Sequence, residues 1–215
     1  MKEHYKILEN TITAQGNIIS LCGLSVIEKY TNLTLVIGVV HGDEYQGEQL
    51  INKYIEDVDN KKILFIPCLN PDGKLLCTRV NSRGVDINRN FPTKNWALTE
   101  KDNYWGGINP ASEIETQFVI DIIEKYKPKD IITLHTPYKI VNYDGPAKEL
   151  AKEISEIIGY PVEPSIGYPT PGSFGTYAGI ERNLPIITLE MDDCETIENL
   201  YIPIKKIFDK IGEQI

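Results

Sequence analysis

Apolar and polar positions along the chain fall into two alternating periods. Compact, β-branched runs occur at Ile18–Leu24, Leu33–Val40, Ile63–Leu69, Ile131–Leu134 and Pro185–Leu189. Runs that short and that continuous read as strands covered on both faces. Between them, Glu44–Asp57, Ala111–Tyr126, Pro146–Ile158 and Thr196–Ile211 carry apolar residues at helical spacing. The alternation predicts an α/β layer fold around a largely buried sheet. Gly159 followed by Pro161 predicts a sharp stop for the third helix. Ser112 with Glu115 three residues later predicts a capping box for the second.

Two stretches fit neither period. Residues 70–110 hold Pro71, Gly73, Gly84, Pro92, Gly106, Gly107 and Pro110, and residues 160–175 read YPVEPSIGYPTPGSFG. Irregular connections longer than ~12–15 residues inside a compact domain tend to be functional, so both are expected to wall a site.

Composition narrows the function classes. The 215 residues are 41% hydrophobic and 25% charged, with 22 Lys+Arg against 31 Asp+Glu and a net charge of −9. These are globular values, and the acidic balance disfavours nucleic-acid and membrane-surface partners. The longest apolar run, Leu33–Val40, is far short of the ~20 residues a membrane span needs. The first fifteen residues lack the apolar core of a secretion signal, which makes a cytoplasmic location the expectation. Cys22, Cys68, Cys77 and Cys194 form no C-x-x-C pair and read as reduced thiols, mostly core filler. Oligomeric state is not legible.

The rare polar residues are unevenly placed. Of three histidines, His4, His41 and His135, the last two directly follow the runs LTLVIGVV and IITL, and a third run, PIITL, ends in Glu190. Three buried strands thus each deliver an ionisable group at the C-terminal edge, where open α/β sheets bind ligands. A single strand-end His is more often a satisfied rim residue; two of them with a carboxylate in equivalent positions are harder to dismiss. The spacing His41-x-x-Glu44 lets a strand-end imidazole face a first-turn carboxylate, although Glu44 alone reads equally as a helix-start acid. Two imidazoles and one carboxylate are a catalytic zinc set with a fourth position open.

Arginine is rationed. Of 22 cationic residues only four are Arg, and Arg79, Arg83 and Arg89 fall within eleven residues of the first long loop. The planar fork of Arg grips carboxylates bidentately, so a substrate-carboxylate clamp competes with a structural ion-pair loop. Asp86 reads either as the acid that orients a metal-bound His or as a turn cap.

These residues carry a resemblance. His41-x-x-Glu44, Asn70-Pro71-Asp72-Gly73, Arg79, GVDINRNFP (84–92), His135 and Glu190 resemble the zinc metallocarboxypeptidases, from about residue 33 to 191. NSRGVDINRNFP, LHTPYKIVNYDGPA and GYPTPGSFGTYAG resemble the bacterial branch of that family that trims cell-wall peptides. The resemblance implies a single domain over 1–215 with a central mixed, mostly parallel sheet flanked by helices. It implies one Zn2+ per chain on His41, Glu44 and His135, with Glu190 as general acid/base and Asp86 orienting His41. It places Arg79 beside the scissile carbonyl, Asn88 and Arg89 on the terminal carboxylate, and Tyr168, with Tyr177 as competitor, over the substrate.

The implied substrate is a small peptide, the released murein tripeptide L-Ala-γ-D-Glu-meso-diaminopimelate, cut at its γ-D-glutamyl–meso-diaminopimelate amide during cell-wall recycling. Asp144 is a candidate reader of the diaminopimelate side chain. Alternatives are a zinc N-acyl amino-acid deacylase of the succinylglutamate desuccinylase or aspartoacylase type, a general metallocarboxypeptidase, and a non-catalytic peptide-binding module. No G-x-S-x-G motif suggests a metal-free hydrolase.

Overall fold

Strands with no solvent-facing side must have both faces covered, and the five apolar runs supply the middle of such a sheet. The computed structural model describes residues 5–24, 31–57, 62–164 and 166–213, so His4 lies outside the described residues. The strands are β1 (Tyr5–Ile12), β2 (Ile18–Leu24), β3 (Thr34–Ile37), β4 (Ile63–Ile66), β5 (Asp130–His135), β6 (Ile140–Asp144), β7 (Val162–Glu163) and β8 (Ile186–Glu190). They form one eight-stranded sheet in the order β1-β2-β4-β3-β5-β8-β6-β7. The four inner strands β4, β3, β5 and β8 are parallel. The flanking pairs β1–β2, β2–β4 and β6–β8 are antiparallel, and β6–β7 is parallel. The sheet is therefore mixed, with a parallel centre.

The period-2 geometry of each strand splits its side chains between two cores. Val36, Ile63, Phe65, Ile132, Leu134, Ile187 and Leu189 enter one core, with helices α1 (Gln46–Asp57), α4 (Lys148–Ile158) and α5 (Ile197–Glu213) supplying Leu50, Tyr54, Ala151, Ile204 and Phe208. Leu35, Ile37, Leu64, Ile66, Ile131 and Ile186 enter the other, where helix α3 (Ile114–Tyr126) supplies Phe118, Val119 and Ile122. Covered faces explain why the runs are continuous rather than alternating. No helix among the described residues is long and apolar enough to cross a membrane.

Several expectations are corrected. Strands β1, β6 and β7 were not expected; β1 (YKILENTI) is an edge strand with no continuous apolar run, and it shows no fully buried residue. The first irregular stretch contains helix α2 (Pro71–Leu76), started by Asn70, whose Oδ1 accepts the Gly73 N–H at 2.9 Å, and by Pro71 in the first turn. It also contains a 3₁₀ turn at Ile87–Arg89. The second stretch holds β7 and leads into a π-helical turn at Gly175–Ile180.

The capping box is absent. Helix α3 starts after Glu113, which makes no side-chain cap; the Ser112 hydroxyl donates to Glu113 Oε1 and Glu115 turns towards Asn81. Gly159 does stop α4, in the left-handed region at φ 81°. All four cysteines are unpaired, but Cys77 and Cys194 are exposed, so only Cys22 and Cys68 act as partial filler.

Candidate metal centre and active site

The parallel centre of the sheet decides where the chemistry sits. β3, β5 and β8 are neighbours, so groups just beyond their C-terminal ends are brought together by strand spacing alone. His135 and Glu190 are register partners on β5 and β8. His41 follows β3 through Val39, a β-branched residue in the left-handed region at φ 51° whose carbonyl accepts the Asn70 N–H at 2.9 Å. Such a conformation costs on the order of 1–3 kcal/mol and persists only where its surroundings impose it.

The three proposed ligands converge. Glu44 Oε1 lies 2.7 Å from His41 Nδ1, and its Oε2 lies 2.7 Å from His135 Nδ1. One donor atom from each of the three falls within 4.8 Å of the others, with both rings 3% exposed. Burial opposes charge on all three groups. At His41 the carboxylates of Glu44 and Asp86 outweigh it and lift the imidazole up to about 9. At Glu44 the two imidazoles outweigh it and hold the carboxyl well below its usual range, whereas at His135 burial prevails and lowers the ring's affinity for a proton. Two nitrogens and a carboxylate converging in a buried pocket fit a zinc ion, which prefers this N/O donor set.

Asp86 is fully buried. Its Oδ1 accepts the Asn88 N–H at 2.9 Å, capping the 3₁₀ turn, and sits 3.3 Å from His41 Nε2 in an approach not aligned for a hydrogen bond. Its Oδ2 takes Arg79 Nε and Nη2, both at 2.9 Å. Arg79 Nη1 in turn reaches within 3.8 Å of Glu44 Oε1, so the guanidinium borders the metal pocket.

Glu190 completes the mouth. It is 6% exposed, and its Oε2 has no protein partner. Burial, reinforced by the Glu44 charge, pushes its carboxyl up to about 8. A cavity of about 320 Å³ is lined by His41, Glu44, His135, Glu190, Arg79, Asn88, Arg89, Tyr168 and Asp144. Arg89, 5% exposed, hydrogen-bonds the Asn88 carbonyl at 2.7 Å. Asn88 Oδ1 accepts the Phe174 N–H at 2.9 Å, which leaves its NH2 as the donor for the cavity.

Of the two tyrosines, Tyr168 lines the cavity, while Tyr177 is buried against Phe91 with Arg182 over its ring. Arg83 stays outside the site as a half-exposed partner of Glu113 at 3.6 Å. That ion pair belongs to the loop's anchor. Asn81 Oδ1 accepts the Arg83 and Val85 N–H groups, and its NH2 donates to Glu113 at 2.8 Å and to Glu115 at 3.4 Å.

Three cavity residues carried no distinguishing sequence signal. Tyr104 was one of twelve tyrosines, and Tyr138 donates its backbone N–H to Glu190 from a position fixed only by the turn after β5. Gly175 lies where a Cβ would stand 2.0 Å from Asp144 Oδ2, so a side chain there would displace the Asp144 carboxylate that lines the cavity.

Comparison with known proteins shows the family and the fold. A family profile described as zinc carboxypeptidase matches residues 11–156, a stretch that ends before Glu190. Murein peptide amidase A of Escherichia coli K12 is 32% identical over 178 residues, covering 76% of this chain and 73% of that protein. Murein peptide amidase A of Vibrio campbellii is 33% identical over 172 residues, covering 73% and 68%. The crystal structure of a murein-tripeptide amidase from E. coli O157 superposes with a TM-score of 0.85 over 99% of this chain and 93% of that one; at 24% identity it speaks for the fold.

Proposed function

This chain belongs to the zinc carboxypeptidase family, and on that footing we propose that it hydrolyses the γ-D-glutamyl–meso-diaminopimelate amide of released murein tripeptide. The observation that carries the reading is the convergence of His41, Glu44 and His135 within 4.8 Å beside Glu190, whose Oε2 has no protein partner, and two arginines. His41, Glu44 and His135 would hold one Zn2+ per chain, which when bound supplies Lewis-acid charge that acidifies water and polarises a carbonyl.

The chain's own groups do the rest. Arg89 and the Asn88 NH2 take the substrate's terminal carboxylate and fix the scissile amide in place, a positioning effect that can account for much of a barrier's reduction. Arg79, tied to Asp86, donates to the carbonyl oxygen as negative charge develops on it. Glu190, raised to about 8 without a cation, would be drawn back to its ionised form by the charge of a bound Zn2+; it then takes a proton from the attacking water on its free Oε2 and passes it to the departing amine, a role typically worth ~10²–10⁴ in rate. Tyr168 covers the substrate from the second loop. The Asp144 carboxylate, kept partly desolvated beside Gly175, complements the ammonium at the end of a diaminopimelate side chain. The chemistry suits a cytoplasmic recycling enzyme whose acidic surface surrounds a local positive island.

Mass spectrometry after incubating zinc-loaded protein with a synthetic peptide panel tests the assignment. Free diaminopimelate from the tripeptide is expected. Release of an ordinary C-terminal L-amino acid instead identifies a general metallocarboxypeptidase, and release of a small acid from N-acyl amino acids identifies a deacylase.

A further inference from the structure

Tyr104 is 54% exposed, so burial does not explain its position. Its ring faces two guanidinium groups, with Arg79 Cζ 5.0 Å and Arg89 Cζ 5.8 Å from its centroid. Both distances fall inside the ~6 Å range over which an aromatic face attracts a cation, with Arg the commoner partner.

The backbone fixes this placement. Asp102 Oδ1 accepts the Tyr104 N–H at 2.8 Å, and the next carbonyl, that of Trp105, accepts the Asp86 N–H at 2.9 Å. Asn90 Nδ2 then donates to the Gly106 carbonyl at 2.7 Å. Gly106 permits the close approach, since a Cβ there would stand 2.3 Å from the Arg89 carbonyl. The segment 102–106 is thereby stitched along 86–90, the stretch that carries Asp86, Asn88 and Arg89.

The two arginines differ in what else holds them. Arg79 has a two-point grip on Asp86, whereas Arg89 has one hydrogen bond, to the carbonyl beside it, and no carboxylate within ion-pair distance among the described residues. Arg89 and Tyr104 also both line a second cavity of about 450 Å³, walled further by Ala97, Thr99 and Pro171. That space is where the Arg89 head could swing if the ring were gone.

We propose that Tyr104 is a positioning residue: its ring face holds Arg79 and Arg89 in one orientation, towards the scissile carbonyl and the terminal carboxylate, and keeps Arg89 out of the second cavity. The proposal rests on the amidase reading for its kinetic arm only. Because Arg89 binds the ground state and Arg79 the developing charge, loss of the ring acts on KM and kcat together.

The test compares Tyr104→Leu with Tyr104→Phe. The Leu variant is expected to raise KM and lower kcat for the tripeptide, with kcat/KM falling about 10–100-fold, and the Phe variant to stay within roughly twofold, because the ring face rather than the hydroxyl makes the contact. A second readout needs neither metal nor substrate: mass-spectrometric rates of phenylglyoxal labelling at Arg79 and Arg89. Labelling of Arg89 is expected to quicken in the Leu variant and not in the Phe variant. Equal losses in Leu and Phe overturn the proposal, as does a Leu variant with parental kinetics and labelling. If the parent cleaves no tripeptide while labelling still separates Leu from Phe, the amidase reading fails and the role of Tyr104 stands.

Discussion

Glu115→Gln should make the protein more stable, by a margin that grows as pH rises from about 4.5 to about 7. Glu115 is 2% exposed, lies beside Glu113, and its carboxyl is met only by its own backbone N–H and by long contacts from Asn81. Burial, with the Glu113 charge adding to it, pushes its carboxyl from an ordinary 4.5 up to about 7. A folded-state value raised above the unfolded one means the folded chain holds a proton that the unfolded chain releases. The associated stability is complete below about pH 4.5, declines as pH rises, and is gone above about pH 7.

The 2.5-unit gap between those two values, at 1.36 kcal/mol per unit, makes the ionised carboxylate cost about 3 kcal/mol at pH 8. Gln keeps the shape of the protonated acid and does not titrate. Urea unfolding of parent and variant at half-unit steps from pH 4 to 8 isolates the effect, because titrating groups away from the Glu113–Glu115 pair cancel in the difference. The variant's advantage should grow from a small constant offset at pH 4 to about 3 kcal/mol at pH 8. A difference that stays flat across the range would refute the reasoning.

Three further outcomes are expected. Glu190→Gln keeps its metal content, measured by elemental analysis, while tripeptide hydrolysis falls at least ~100-fold; near-parental turnover would remove Glu190 from the chemistry. Asp86→Asn loosens Arg79 and the turn under His41 together, so zinc affinity measured against a competing chelator should drop about 10–100-fold, and an unchanged affinity counts against the orienting role. Gly175→Ala puts a methyl group 2.0 Å from the Asp144 carboxylate oxygen. KM for a substrate with a cationic C-terminal side chain should rise several-fold more than KM for one with a neutral side chain, as steady-state kinetics can show; equal changes would take Asp144 out of side-chain reading.

What the sequence disclosed follows the physics of each element. The inner strands were legible because burial on both faces leaves an unbroken apolar run, and β2 was read to the residue at Ile18–Leu24. Strand β1 escaped because an edge strand with one partner can be mostly polar, and β6 because its five residues include Asn142 and Asp144. The site's ionisable residues stood out through rarity and position: two of three histidines and one Glu at strand ends, and arginines crowded into one loop. Tyr168 was separable from Tyr177 only in space, where one lines the cavity and the other packs on Phe91. The Tyr104 ring and the Gly175 gap depend on long-range loop contacts that no local pattern encodes. The expected capping box failed for a related reason, since Glu115 was claimed by Asn81, 34 positions away.

The placement of β5 between β3 and β8 has a thermodynamic corollary. Glu44 and His135 are 91 positions apart, and they meet only after the central parallel pairing has closed, so an unfolded chain offers no tridentate grip. Cation capture and global folding are then a single linked equilibrium: a ligand confined to the native state at a thousandfold excess over its dissociation constant adds about 4 kcal/mol. Chelators should lower the melting temperature as well as halt turnover, and metal scarcity would shorten the polypeptide's survival against proteases before it dimmed any single active site.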